Sequence, residues 1–516
     1  MREWESVIGL EVHLQLKTGT KVWCGCSADY DNAEANTHTC PICLGHPGAL
    51  PKLNKKVVEY AVKAGLALNC KINNESSFDR KNYFYPDTPK NYQITQFDNS
   101  YAGKGYLEFK LNSGRMVKVG ITKLQIEEDA AKSIHAEHES LINFNRASIP
   151  LIEIISEPDM RSSEEAYEYL NTLKSVIKYT GISDVSMELG SLRCDANISV
   201  MEKGSKVFGT RVEVKNLNSF KAVARAIDYE ISRQIETIEN GGKIDQETRL
   251  WDEETQTTKV MRSKEEAMDY RYFPEPDLLK LVITDEEIEA IRQTMPESKV
   301  EKLARFINDY GLPEYDANIL CEDIELADYF EKVAKTSGNG KLSANWIMTD
   351  VMRILKEKNI DIEKFSISAE HLGEIIALIE KGTISTKIAK ELFEIKLTDE
   401  RAPEVIVKEK GIITSAYITL RSKENIETDY FYYYLHTFDI HKGFYGMGCG
   451  VRQSLNFDEL KKLKILYPST KEQKSIVKFL DNKCAEIDNL ILQKEKLITN
   501  LEEYKKSLIY EYVTGK

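Results

Sequence analysis

Four cysteines near the start of the chain fall as Cys24-x-Cys26 and Cys40-x-x-Cys43. Zinc takes four soft ligands in a tetrahedron, and two tight turns of this kind supply all four. No coordination position is left open, so the expected role is structural. The stretch between the pairs, SADYDNAEANTHT, is loop-like, and His38 or His46 could stand in for one thiol. Four unrelated buried thiols are the plain alternative, which the paired spacing disfavours. A second chemistry lies just upstream, where Glu11 and His13 share one face of VIGLEVHLQL. On the strand pattern alone, such a pair is more often a solvent-facing edge than a site. Further carboxylates change that balance: Glu127, Glu128 and Asp129 in ITKLQIEEDAAKS, and Glu153 and Glu157 in PLIEIISEPD. Oxygen ligands with one imidazole suit magnesium or manganese. Spacing does not say which of them converge.

These side chains need strands to carry them. In VIGLEVHLQL, Leu10, Val12, Leu14 and Leu16 alternate with Glu11, His13 and Gln15, so the apolar set turns inward and the polar set lines the other face. PLIEIISE and RVEVKNL read the same way. The helix EEAYEYLNTLKSVIKYTG interrupts them and stops at Gly181. After YFPEPD the composition turns helical, opening with Thr284 and Glu287 spaced as a capping box. A second break falls near Gly411. Beyond it come the aromatic YFYYYLHTF, the glycine-rich GFYGMGCGVRQS and a long closing helix. That helix carries Ile487, Leu490, Leu497, Leu501, Tyr504 and Leu508 at 3/4 spacing, interrupted by Lys494, which is also the pattern of a simple oligomerisation coiled coil.

At 516 residues the chain is too long for one core, and three or four domains are expected. Its 42% hydrophobic and 30% charged residues are ordinary for a soluble globular protein. A net charge of −13 argues against coating nucleic acid over the whole surface, though not against a local basic groove. The start has no apolar signal run and no stretch is long enough to cross a membrane. With nine cysteines and no export signal, a cytoplasmic location with reduced thiols is expected. There is no GxxxxGK[ST], so ATP use would not be of the P-loop kind. There is no GxSxG elbow, no kinase signature set and no Ser/Lys-rich amidase segment. The tract DRKNYFYPDTPKNYQITQF reads equally as an aromatic loop on the core or as a substrate-binding wall, and so do SLRCDANISV and KNLNSF.

Taken together, VIGLEVHLQL, DRKNYFYPDTPKNYQITQF, ITKLQIEEDAAKS, PLIEIISEPDM, GSLRCDANISV, VKNLNSF and DYRYFPEPDL resemble, in order, the B subunit of the aspartyl/glutamyl-tRNA(Asn/Gln) amidotransferases, from residue 1 to about Gly411. The resemblance implies an ATP-dependent carbon–nitrogen ligase working with A and C subunits on misacylated tRNA. The A subunit releases ammonia from glutamine. The B subunit activates the side-chain carboxylate of Glu-tRNA(Gln) or Asp-tRNA(Asn) as an acyl phosphate. It implies ATP, magnesium and zinc. Glu11, His13 and Glu128 would be catalytic metal ligands, Glu153 a further magnesium ligand, and Cys24, Cys26, Cys40 and Cys43 the zinc ligands. Lys81, Asn82, Tyr83, Tyr85, Arg193, Asn197, Lys215 and Asn216 would bind substrate. Two departures stand out: Ala131 and Ser148 occupy positions where the family motif expects glycine. The family's small helical tail is also expected to be missing. From about Ile412, AYITLRSKE, YFYYYLH, GVRQSLNFDELKKLKILYPSTKEQKSIVKFLD and LITNLEEYKKSLIYEYVTGK resemble the C-terminal part of a type I restriction–modification specificity subunit. Only a fragment of such a half is present, so DNA binding by it alone is not expected. The alternative function is a gene-fusion product with that DNA-binding and assembly module and reduced amidotransferase activity. The expected fold is α+β: a cradle-like mixed-sheet catalytic domain with a zinc knuckle over 1–283 and a helical domain over 284–411. A small α/β fragment over 412–470 and a long helix over 471–516 follow.

Overall fold

The computed structural model describes residues 3–135, 139–263, 270–410, 425–441, 444 and 460–514. It forms two compact units, Met1–Glu331 with Gly340–Glu363, and Lys332–Asn339 with Lys364–Lys516. The architecture is α+β, with one large mixed sheet and a helical region.

The strands are β1 (Trp4–Gln15), β2 (Lys71–Ile72), β3 (Glu75–Ser76), β4 (Asp79–Asn82), β5 (Tyr92–Thr95), β6 (Ala102–Lys110), β7 (Met116–Glu128) and β8 (Lys132–His135). They continue with β9 (Ser140–Asn143), β10 (Pro150–Ser156), β11 (Leu192–Glu202), β12 (Val212–Lys215), β13 (Glu247–Asp252), β14 (Thr257–Ser263), β15 (Phe273–Pro274) and β16 (Leu281–Val282). Nine of these make one sheet in the order β14-β13-β12-β11-β1-β10-β7-β6-β2. Its pairs are antiparallel except β12 with β13, which is parallel. A second sheet, β15-β4-β5, has three strands.

One face of the large sheet is apolar because β1 alternates as its sequence dictates. Ile8, Leu10, Val12 and Leu14 are fully buried in a core with residues of helices α1 (Lys55–Ala67), α2 (Ser163–Thr180) and α3 (Phe220–Glu239). Each such side chain contributes about 1.5–3 kcal/mol. The opposite face carries the polar partners. Gly181 ends α2 at φ +70°, as expected, and Ser162 and Ser219 cap α2 and α3. Thr284 and Glu287 close the expected capping box.

The first unit runs past the composition shift near residue 283 because its later helices are tied to α2. Tyr179 donates its hydroxyl to the Cys321 carbonyl at 2.8 Å, and Lys178 pairs with Asp323 at 2.7 Å. In the second unit Ala369–Glu380, Thr386–Lys396 and Pro403–Lys410 are helical, with Leu372, Ile376, Leu392, Phe393 and Ile406 buried. YFYYYLH lies in the helix Thr428–Ile440, and a closing helix spans Thr470–Thr514. Buried Gln473 links them, accepting from Glu427 N–H at 2.8 Å. AYITLRSKE and nearly all of GFYGMGCGVRQS lie outside the described residues. Among the described residues no helix is long and apolar enough to cross a membrane.

Candidate functional site

The polar face of the large sheet is organised by strand register. His13 on β1 sits opposite Glu153 on β10 and Arg193 on β11, and Glu153 in turn sits opposite Gln125 on β7. Directly opposed side chains in an antiparallel pair stand about 5 Å apart at Cβ, so this row brings an imidazole and a carboxylate together. Glu127, two residues along β7 from Gln125, joins from the same face. His13 Nε2 lies 3.8 Å from Glu127 Oε2 and 3.7 Å from Glu153 Oε1, and donor atoms of the three residues lie within 4.8 Å of one another.

Both carboxylates are buried. Glu127 is held below the usual carboxylate range despite burial, by Lys81, His13 and a 2.7 Å bond from Thr95 Oγ1. Glu153 goes the other way: burial and the neighbouring Glu127 charge push it up to about 7. Lys81 on β4 faces this pair. Burial alone would lower its pKa, but Glu127, Tyr272, Glu153 and Tyr270 together outweigh it, and the ammonium is held above its ordinary value. Gln125 donates its amide to Glu153 and, at 3.3 Å, to Glu127, while its buried Oε1 has no hydrogen-bond partner among the described residues. Three convergent donors, excess negative charge and an orphaned buried carbonyl fit a hard divalent cation. Octahedral magnesium at about 2.1 Å from its ligands spaces them about 3.0–4.2 Å apart, a range that includes the 3.7 and 3.8 Å separations from His13.

The structure brings Glu127, rather than Glu128, to His13. Glu128 turns to the other side of β7. Its two oxygens are bonded by Lys90 Nζ at 2.5 Å, and it also accepts from Ile94 N–H at 2.8 Å and Ser148 Oγ at 2.6 Å. It pins β5 to β7. Glu11 shares the His13 face and accepts from Asn197 Nδ2 at 2.9 Å.

The four cysteines also converge. Cys24, Cys26, Cys40 and Cys43 place their sulfurs within 4.8 Å of one another, and none is in a disulfide. Cys40 and Cys43 sulfurs lie 3.9 Å apart, close to the tetrahedral edge of about 3.8 Å that zinc–thiolate bonds of 2.3 Å require. A hydrogen bond from Cys24 lowers the Cys43 thiol to about 5, which favours a thiolate in the cluster. Cys40 N–H also points at Cys43 Sγ, 3.1 Å away.

The family model of the GatB/GatE catalytic domain matches residues 6–289, which hold both clusters, and that of the GatB domain matches residues 328–420. The chain belongs to the GatB family. A relative from Fusobacterium nucleatum subsp. nucleatum is 78% identical over 413 residues, 80% of this chain and 86% of that one. Relatives from Carboxydothermus hydrogenoformans and Clostridium tetani are 54% and 52% identical over 418 and 411 residues, with the same shares covered. All three bear the name of the B subunit of aspartyl/glutamyl-tRNA(Asn/Gln) amidotransferase.

Within this GatB fold the remaining candidate residues separate into four groups. Lys81 faces the His13–Glu127–Glu153 cluster. Asn197, Arg193 and Lys215 lie on the same polar face but are committed to partners: Arg193 to Asp129 at 2.6 Å, Lys215 to Asp195 at 2.5 Å. Asn82 and Asn216 serve the backbone, donating to the Arg271 and Trp251 carbonyls at 2.8 and 3.0 Å. Tyr83 packs edge-on against Tyr270, and Tyr85 is 60% exposed on the following turn. Tyr270 and Tyr272, quoted only as part of a motif, prove to belong to the wall around Lys81, which lies 5.1 Å from the Tyr270 ring. Of the two glycine departures, Ala131 keeps an ordinary φ and donates to Asp87 O at 2.8 Å, whereas Ser148 takes φ +67°.

Proposed function

We propose that this chain is the activating subunit of a tRNA-dependent amidotransferase. It binds Glu-tRNA(Gln) or Asp-tRNA(Asn) and ATP, and it works with a glutaminase A subunit and a C subunit. The observation that carries the reading is the His13–Glu127–Glu153 cluster facing Lys81, in a chain 78% identical to a protein of that name. In the first step the substrate carboxylate oxygen attacks the γ-phosphorus of ATP and ADP leaves. In the second, ammonia attacks the acyl phosphate carbon, inorganic phosphate leaves and the amide forms. Both steps gather anions in one place. A magnesium ion held by His13, Glu127 and Glu153, with Glu11 beside them, would supply the screening charge. Lys81 supplies a fixed cation on the opposite wall, and the buried carboxylates orient it. Reconstituting the chain with A and C subunits and assaying amide formation on misacylated tRNA tests the reading, which fails if no amide forms on either tRNA.

Glu153 makes this site pH-sensitive. Its folded-state pKa, about 7, lies above the ordinary 4.5. Without a cation the folded chain therefore holds that proton more tightly than the unfolded chain. The associated stability is present below about pH 4.5 and is lost as pH rises towards 7. A bound cation reverses the preference, because it requires the ionised carboxylate. The magnesium concentration giving half of the thermal shift should fall about fivefold between pH 6 and 7, by less than a further twofold between pH 7 and 8, and level off above. A pH-independent midpoint would remove Glu153 from the ligand set.

A second reading concerns the chain after about residue 411, proposed as a fragment like a restriction specificity subunit that acts in assembly. What favours an assembly role is the closing helix, on which Ile487, Leu490, Leu497, Leu501 and Tyr504 are 51–63% exposed at heptad spacing. Replacing everything after Gly411 with an intact family tail should tighten binding of misacylated tRNA about tenfold at fixed salt, by restoring phosphate contacts. The same exchange should abolish self-association measured by light scattering. Equal dissociation constants would show that the closing segment already does the work of the tail.

A further inference from the structure

Ser148 is held in the left-handed backbone region, at φ +67°, where glycine is unstrained and other residues are not. It is buried, and both of its backbone groups are used: its N–H donates to Asp129 O at 2.9 Å and its carbonyl accepts from Val22 N–H at 3.1 Å. Glycine would make both bonds without strain. What serine adds is Oγ, which donates to Glu128 Oε2 at 2.6 Å. That carboxylate is a junction. Lys90 and the Ile94 N–H share it, Ile94 belongs to β5, and β5 pairs with β4 in a register that sets Lys81 opposite Gln93. Gln93 itself donates to the Glu128 carbonyl at 2.7 Å.

We propose that Ser148 is a positioning residue. By fixing the Glu128 carboxylate it holds the β4–β5 arm against β7, and so holds Lys81 in place over Glu127 and Glu153. Local strain retained at a site for the contact it secures is the pattern expected of a functional position. The catalytic consequence rests on the amidotransferase reading, while the structural one does not.

Two variants separate strain from contact. Ser148→Gly removes the donor and the strain, whereas Ser148→Ala removes the donor and keeps the strain. In the assembled complex Ser148→Gly should melt within about 2 °C of wild type, and Ser148→Ala should melt lower. In both, deuterium exchange of peptides spanning residues 90–97 should be about tenfold faster, while β10 is unchanged. The kcat for amide formation should fall about fivefold in Ser148→Gly at unchanged KM for the aminoacyl-tRNA, and Ser148→Gly should have no further effect in a Glu128→Gln background. Unchanged exchange over residues 90–97 overturns the proposal whether or not the complex makes amide. Multiplying losses in the double variant overturn it as well. A wild-type complex inactive on every misacylated tRNA would instead refute the amidotransferase reading, and the exchange measurement would still decide the role of Ser148.

Discussion

Glu127→Gln and His13→Ala, each in the reconstituted complex, are expected to lower ATP-dependent amide formation by about a hundredfold or more, while glutamine hydrolysis in the partner subunit stays measurable. Glutamine keeps the shape of Glu127 and its bond from Thr95 but cannot supply the charge. Loss of His13 removes a donor that lies 3.7 and 3.8 Å from the two carboxylates. Glu127→Gln also leaves Lys81 without its main counter-charge, so its melting temperature should fall too, and the rate is what marks it as a site variant. In Glu128→Gln the loss of stability should dominate. Its carboxylate is paired with Lys90 on a buried junction, and breaking such a pair costs about 3–5 kcal/mol. Its main effect should therefore be a lower melting temperature, with amide formation reduced only as far as the β4–β5 arm loosens. Measuring rate and melting temperature for Glu127→Gln and Glu128→Gln side by side distinguishes the two adjacent acids. Near-normal amide formation in Glu127→Gln would refute the metal assignment.

The strand alternation of β1 was legible from the sequence because one face is buried against helices, and a period of two fixes every side chain once one is placed. The same logic carried to β7 separates Glu127 from Glu128. Leu124 and Ile126 are apolar and buried, so Gln125 and Glu127 share the polar face, and Glu128 falls on the other side. The acidic triplet obscures this, because three consecutive acids show no period. Convergence across strands was not legible. That Glu153 meets His13 depends on β10 lying beside β1, a pairing between segments about 140 residues apart that no local pattern encodes. The commitments of Arg193 to Asp129 and of Lys215 to Asp195 are hidden for the same reason. The departure at Ser148 was visible as a missing glycine. Its meaning was not, because the hydroxyl finds a partner only once Glu128 has turned away from the cluster. The cysteine spacing, by contrast, is local at each end, and only the closure of the loop between the pairs needs the fold.

That closure makes the other large effect. Purified wild-type protein is expected to carry one zinc per chain by elemental analysis, and a content below about a tenth of an equivalent would exclude a structural site. The reason is electrostatic as well as geometric. Four thiols packed within 4.8 Å of one another are a poor neutral cluster, and Cys43 already leans towards the thiolate. Zinc binds that charge and closes the loop from Cys26 to Cys40. The polypeptide between the pairs buries no residue over 27–39 and is held by hydrogen bonds: His38 N–H donates to Asn145 Oδ1 at 2.8 Å, Asn36 N–H to Asn143 Oδ1 at 3.2 Å, Phe144 N–H to Asn36 Oδ1 at 2.7 Å and Asn145 Nδ2 to the Glu34 carbonyl at 2.8 Å. On its inner side the knuckle joins Trp23, which is fully buried and edge-on to Phe78 at 5.2 Å; the Trp23 carbonyl accepts from Lys52 N–H. Losing the metal should thus release residues 24–43 first and loosen the β1 end of the core second. Because the large sheet has its own core, the loss should be smaller than the roughly 10–16 kcal/mol by which zinc folds an isolated finger. A drop of several degrees in melting temperature is expected for Cys40→Ser or after chelation, together with rapid proteolytic cleavage between residues 26 and 40. Zinc added back should restore wild-type protein and fail to restore Cys40→Ser. Full protease resistance of the metal-free protein would show that hydrogen bonds alone hold the knuckle.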